Sequence, residues 1–487
     1  MEEEIGIDTI KQKSVRGIVV LTGRTFLLQI VALVAQFLLF AYLGTYEFGV
    51  FAIVSAIVNF LVYFSDIGLA AALIQKKDKP TDVDLRTTFF VQQVLVFTLI
   101  GIVIFLTPYF VEKYSLTYDG KILLYALSFS LILSSFKSIP SVLLERKLEF
   151  TKLVFPQILE QIVYNVILVV MAMKGYGLFS FSVAVVVRGF VGLITLYYLQ
   201  PWKIGIAFSL DTLKGLFKFG IPYQVNTFLA TLKDDGLVIV LGGIIGPAGV
   251  GVLSFAQKIT RLPLTFFMDT VTKVMFPAFS RLQDDRDNLE RSVTRSIFFI
   301  CLFVFPSLMG IVILAPLLVR VVPRYEQWVP ALVPIVFIAI NFAFAAATTQ
   351  LTNLLNAIGK IKYTFYLMIM WTVLTWIFIP PLAIKFGVVG VSIGYSLVGV
   401  SSVVAIYVAK QKVNFSITNS MIKPLIGTIV MGAVLLVTRN FLDVSVNSMI
   451  VLTLIGAMVY ISSMTAMMGL SLIEDAKKSF KQIFNRN

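Results

Sequence analysis

Runs of about twenty apolar residues recur along this chain from Ile18 to Leu470. That is the length an α-helix needs to cross the hydrocarbon of a bilayer, roughly 30 Å at 1.5 Å per residue. With no water at that depth, a spanning segment must satisfy its own backbone polar groups, so only helices and closed barrels qualify. A barrel would show short segments of alternating hydrophobicity, and the sequence has none. Of the 487 residues, 58% are hydrophobic, more than a soluble chain of this size could bury. The chain therefore reads as an all-α polytopic membrane protein.

The pattern predicts about fourteen transmembrane helices: 18–43, 48–74, 88–110, 121–144, 153–173, 177–199, 215–241, 249–278, 295–320, 328–356, 361–384, 387–409, 422–441 and 446–470. The acidic start MEEE and the long first run, which lacks a cleavage site, argue against a signal peptide. Basic residues set the orientation. Lys11, Lys13 and Arg16 precede the first span, and Lys76, Lys77, Lys79 and Arg86 follow the second. Arg146, Lys147, Lys152, Lys203, Lys214, Arg281, Arg286, Arg291, Lys360, Lys410, Lys412, Lys477, Lys478, Lys481 and Arg486 fall on that same side. The other side holds Lys113, Lys174, Arg320, Arg324, Lys385 and Arg439. Both termini are thus expected in the cytoplasm. No loop is long enough for a folded extramembrane domain.

The net charge of +14 is spread over many short loops, which argues against a nucleic-acid partner. With one cysteine, Cys301, and no histidine, the chain offers no internal disulfide, no Cys/His metal site and no His-based catalysis. Cys301 reads as a buried apolar residue.

An internal repeat is visible. LGTYEFGVF at 43–51 resembles IGPAGVGVL at 245–253, pairing Gly44 with Gly246 and Gly49 with Gly251. GLFSFSVA from Gly177 resembles GVVGVSIG from Gly387, pairing Ser182 with Ser392 and Tyr197 with Tyr407. Both pairings have a period of about 200 residues. Two parallel six-helix lobes follow, 1–205 and 206–415, with helices 13 and 14 and a tail in 416–487. A central site between lobes is the expectation.

Polar residues inside the spans mark candidates for that site. Placing one cation at mid-bilayer costs roughly 2.5–3.5 kcal/mol on insertion scales. Lys258 and Arg261 lie one turn apart in the eighth span, on a face with Ser254, Thr265, Asp269 and Thr272. Arg261 should lie near the midplane, too deep to snorkel. The second span carries Ser55, Asn59 and Asp66 on one face, and Asn59 is the repeat partner of Arg261. The seventh carries Tyr223, Asn226, Lys233 and Asp234, then Asp235. The tenth carries Asn341, Thr348, Thr352 and Asn356, and Arg24 stands near the cytoplasmic end of the first. Arg188, mid-way along the sixth, has no acidic partner in its own helix. For a single Asn or Thr, an interhelical hydrogen bond of about a kcal/mol or less is the simpler role. The Lys258–Arg261 pair favours a functional one, a wet cavity holding an anion. Asp66 and Arg24 could pair, and Asp234 or Asp235 could neutralise Lys258. Pro222 and Pro263 predict bends.

The residues also carry a resemblance. RTFLLQIVALVAQFLL and LGTYEFGVFAIVSAIVNFLVYFSDIGLAAALIQ, then FKFGIP, LKDDGLVIVLGG, GVLSFAQKI and FPAFSRLQ, resemble bacterial polysaccharide flippases. These are the Wzx-type transporters of the multidrug/oligosaccharidyl-lipid/polysaccharide exporter superfamily. The resemblance implies a V-shaped pair of lobes that moves undecaprenyl-diphosphate-linked oligosaccharides from the cytoplasmic to the periplasmic leaflet of the bacterial inner membrane by alternating access. It implies a cationic cavity, with Arg261, Lys258, Arg24, Arg188, Asn59, Asn226 and Lys233 as substrate-binding candidates. Asp66, Asp234, Asp235, Asp269 and Glu160 are the candidates for ion coupling or charge pairing. The implied products are O-antigen, capsule or exopolysaccharide. A monomer in membrane lipid is expected, with a polysaccharide polymerase and a chain-length regulator as partners. No enzyme activity, catalytic residue, metal or cofactor is expected. A multidrug or cation extruder of the same superfamily, or a lipid II flippase, is the alternative; the basic stripe in the eighth span disfavours a pump for cationic drugs.

Overall fold

The computed structural model describes residues 27–66, 68–76 and 78–468, without the side chains of 66, 218–227, 269 and 270. Helices account for nearly all of it. In order they are α1 (Leu27–Tyr42), α2 (Thr45–Asp66), α3 (Leu69–Gln75), α4 (Asp82–Lys113), α5 (Tyr118–Arg146), α6 (Phe150–Met173), α7 (Phe179–Leu199) and α8 (Leu210–Pro263). There follow α9 (Asp269–Arg281), α10 (Arg286–Val321), α11 (Leu332–Ala357), α12 (Ile361–Val400), α13 (Val403–Lys410), α14 (Lys423–Arg439) and α15 (Val446–Met468). Among the described residues, 11 helical stretches are long and apolar enough to cross a membrane.

Two of those stretches run for 41 and 50 residues. Straight, they would measure about 60 and 75 Å, at least twice the hydrocarbon thickness. Each contains a glycine with positive φ that reverses or bends the path: Gly246 (φ 70, ψ 172) inside α8 and Gly387 (φ 58, ψ −138) inside α12. Both are glycines of the internal repeat, and Gly177, the repeat partner of Gly387, also has positive φ. The expected helix 48–74 is broken at Gly68 (φ 76), which separates α2 from α3. The expected helix 249–278 is interrupted by a π-helical turn over Leu264–Met268. It begins directly after Pro263, whose missing N–H removes an i→i−4 bond.

The described chain clusters into two compact units, one ending at Gly251 and one beginning at Val252. In the first, α5 contacts α2, α3, α4, α6 and α7. Phe181 of α7 stacks on Phe51 of α2 at 4.2 Å. Leu69, Leu73, Phe89, Ile139 and Val142 form a core around α3. One end of the unit is tied by charge. Arg146 donates to the carbonyls of Leu73 (2.6 Å), Ile74 (3.0 Å), Lys76 (2.7 Å) and Asp78 (3.0 Å), satisfying the open C-terminus of α3. Asp84 forms a capping box with Thr81 at the start of α4 and accepts from Lys76 (2.6 Å) and Thr212 (3.0 Å).

The α2 and α8 helices meet backbone to backbone inside this unit. A Cβ on Gly49 would collide with the carbonyl oxygen of Pro247, and a Cβ on Gly251 with that of Thr45. The contact is reciprocal: Gly49 and Gly251 are repeat partners, and each lies against the residue equivalent to the other's neighbour.

In the second unit α10 packs against α9, α11, α14 and α15. Cys301 is fully buried there with Ile297, Phe305 and Leu351, as its apolar setting in the sequence led us to expect. Phe255 stacks on Trp328 at 4.5 Å.

Candidate functional site

The polar residues of the spans sort into two groups once the contacts are known. One group is structural. Asn341 donates to the Tyr395 carbonyl (2.8 Å), Asn356 accepts from Thr364 (2.7 Å), and Thr348 and Thr352 bond carbonyls of their own helix. Thr272, placed on the polar face of the eighth span, accepts from Gln350 at 2.6 Å. Ser182 and Ser392 are both buried, whereas Tyr197 donates to the Phe136 carbonyl and Tyr407 is exposed.

The second group is charged. On α8, Lys258 and Arg261 occupy consecutive turns of one face, as their spacing requires. Arg261 is exposed and Lys258 partly buried. Arg261 forms no ion pair with any acidic side chain among the described residues; its carbonyl accepts from Thr265 Oγ1 at 3.3 Å.

In the first unit, Lys233 is ion-paired with its neighbour Asp234, and the Asn59 side chain donates to Asp235. Asn59, Lys233, Asp234 and Asp235 thus gather where α2 faces α8, beside Phe228, whose ring meets Tyr63 at 5.3 Å. Arg24 lies outside the described residues, as do the side chains of Asp66, Asn226 and Asp269.

Arg188 does have an acidic partner, from another helix. Its Nε lies 3.6 Å from Glu160 Oε2, and Lys137 Nζ lies 2.7 Å from Glu160 Oε1. The Arg188 guanidinium also lies 5.6 Å from the centre of the Tyr164 ring. Three helices position this cluster: Lys137 on α5, Glu160 on α6, Arg188 on α7. Gly192, one turn beyond Arg188, leaves the room that the Glu160 carboxylate fills; a Cβ there would collide with Oε1. From sequence alone Arg188 and Glu160 stand in different roles and Lys137 is not among the candidates. The signal was present, since Lys137 is the one charge within the apolar run from Ile122 to Leu144.

Two cavities accompany these groups. One of about 280 Å³ is lined by Lys137, Glu160 and Arg188 with Leu28, Ser141, Gln157 and Gln161. The other, about 400 Å³, is lined by Arg286, Lys360, Lys410 and Lys412 with Asp284 and Glu290. Its lysines belong to the basic loops that set the expected orientation.

A family model described as "Polysaccharide biosynthesis protein" matches residues 39–333. The chain belongs to this family. Its relatives include an uncharacterized membrane protein of the cps region of Klebsiella pneumoniae, 26% identical over 86% of this chain and 88% of that one. The lipopolysaccharide biosynthesis protein WzxC of Escherichia coli K12 is 22% identical over 86% of this chain and 83% of its own length. Among solved structures, the lipid II flippase MurJ in an inward closed conformation superposes with a TM-score of 0.76. That superposition covers 92% of this chain and 98% of MurJ at 17% identity. An inward-facing multidrug MATE transporter gives a TM-score of 0.61. The family member described here is a multi-pass helical membrane protein with the fold of these transporters.

Proposed function

We propose that the chain is a flippase for lipid-linked oligosaccharides. It carries undecaprenyl-diphosphate-linked repeat units from the cytoplasmic to the periplasmic leaflet by alternating access, in surface polysaccharide biosynthesis. The relatives named for lipopolysaccharide biosynthesis and, at 22% identity over 55% of this chain, for succinoglycan biosynthesis transport support this reading. The observation that carries it within the molecule is Arg261, a cation exposed in a span and unpaired among the described residues. A guanidinium this deep requires water or an anion beside it, and the diphosphate or an acidic sugar supplies the anion. Lys258 shares its face.

In this reading the bent stretches of α8 and α12 cross twice each and α1 once, giving fourteen crossings. The lobes are the repeats 1–205 and 206–415, followed by 416–487. The protein is a monomer of the bacterial inner membrane with both termini in the cytoplasm, and it hands its product to a polysaccharide polymerase and a chain-length regulator. Arg24, Arg188, Asn59, Asn226 and Lys233 would line the substrate path, and Asp66, Asp234, Asp235, Asp269 or Glu160 would carry charge pairing or ion coupling.

Complementation of a deletion strain tests the assignment. Arg261→Ala should abolish surface glycan while immunoblotting shows wild-type amounts of protein in the membrane. Normal glycan in that strain would remove Arg261 from the path.

A further inference from the structure

The cluster of Lys137, Glu160 and Arg188 holds two cations and one carboxylate inside a membrane-spanning unit. Lys137 lies nine residues from the end of α5 at Arg146, and Glu160 ten residues from the start of α6 at Phe150. Each is about 15 Å from a helix end, half the hydrocarbon thickness. A structural ion pair at that depth needs one cation per carboxylate. This cluster has a second, and among the described residues it formally carries one uncompensated positive charge.

The two cations are held differently. Lys137 is 17% exposed and contacts Glu160 at 2.7 Å, within the range of a charge-assisted hydrogen bond. Arg188 is 44% exposed and stands 3.6 Å from the same carboxylate, beyond hydrogen-bond distance. The cavity of about 280 Å³ opens beside it, at the small end of ligand pockets, which run from roughly 300 Å³. Ser141, Gln157 and Gln161 add uncharged donors and acceptors to its lining. Hydroxyl-rich ligands use such groups; apolar drugs do not.

We propose that this cleft is an anion subsite in which Glu160 holds the place of an incoming acidic group. The ligand's carboxylate or phosphate takes the Arg188 guanidinium through its forked N–H donors, while Glu160 stays on Lys137. The exchange breaks only the long contact, and a ligand carboxylate brings the cluster to neutrality. Gly192 gives Glu160 the space to sit between its two cations. The inference rests on the flippase reading and gives the carried glycan a second contact: an acidic sugar, or the phosphate of its carrier.

The test is calorimetric titration of the full-length protein in nanodiscs with glucuronate, pyrophosphate and, as neutral control, glucose. The wild type should bind one of the two anions and not glucose; glucuronate alone identifies a sugar acid, pyrophosphate alone the carrier phosphate. Arg188→Gln should weaken binding at least tenfold. Glu160→Gln should tighten it at least tenfold, because the internal competitor is gone. A purely structural salt bridge predicts the opposite sign. Glu160→Gln leaves Lys137 without its partner, so the double variant Lys137→Met/Glu160→Gln serves beside it. Removing both members leaves no orphaned ammonium and keeps the single net positive charge of the wild-type cluster, now on Arg188, and that variant should bind more tightly too. Unchanged binding in Arg188→Gln, or no tightening in either Glu160 variant, overturns the proposal. Failure of both anions to bind the wild type also overturns it. The flippase reading would stand, since surface glycan in the complemented strain measures it separately.

Discussion

At the scale of single residues, Arg146 ties off a helix end with one guanidinium. In the sequence it is one of many basic residues on one side; in the structure its guanidinium closes four carbonyls about seventy residues away, across a helix end. Hydrogen bonds to charged groups contribute about 1.5–3 kcal/mol, and losing the donor leaves the carbonyls at the end of α3 unsatisfied. Arg146→Ala should therefore destabilise the protein by roughly 2–3 kcal/mol, read as a lower unfolding temperature in detergent. Arg146→Lys should recover only part of this, since one ammonium cannot fork to four acceptors. Equal unfolding temperatures for Arg146→Ala and wild type would reject the capping role. Lys258 and Arg261 were legible as neighbours on one face because both lie in one helix, where spacing alone sets the side. The Glu160 cluster was not assembled, because nothing in a single sequence says that α5, α6 and α7 converge on one carboxylate.

At the scale of elements, apolar period and glycine placement located most helices. The breaks depended on backbone angles that composition does not reveal. Gly68 interrupts one expected helix, and the π turn after Pro263 interrupts another. The repeat glycines form a visible pattern, but no local residue property signals that Gly49 and Gly251 touch each other's helices. That contact makes a sharp prediction. Gly49→Ala and Gly251→Ala each place a methyl against a backbone carbonyl, which cannot swing aside as a side chain can. Each should cost at least about 1–3 kcal/mol by overpacking. The double variant should cost less than the sum, because opening the helix pair for one methyl makes room for the other. Gly101→Ala, with nothing within 4 Å of the new Cβ, is the control and should stay within about 0.5 kcal/mol of wild type. Thermal unfolding of the four proteins decides it; additive costs would mean that the two glycines do not share one contact.

At the scale of the whole molecule, the assignment of sides rests on charge counting, and the chain supplies its own means of checking it. Its single cysteine, Cys301, is fully buried, so the folded protein should resist maleimides without any background substitution. Gln283, between α9 and α10, is exposed and adjoins the basic loops placed in the cytoplasm. Lys174 after α6 and Asp443 between α14 and α15 are exposed at turns placed on the far side. In intact cells a membrane-impermeant maleimide should therefore label Lys174→Cys and Asp443→Cys but not Gln283→Cys. Inverted vesicles should give the reverse. Lys174 and Asp443 are separated by an even number of crossings only if the stretches around Gly246 and Gly387 each cross twice or neither does. Labelling of Lys174→Cys and Asp443→Cys from opposite sides would mean that one of the bends is not a return. Labelling of Gln283→Cys from outside would place the basic loops in the periplasm and reverse the orientation proposed for the helix that carries Arg261.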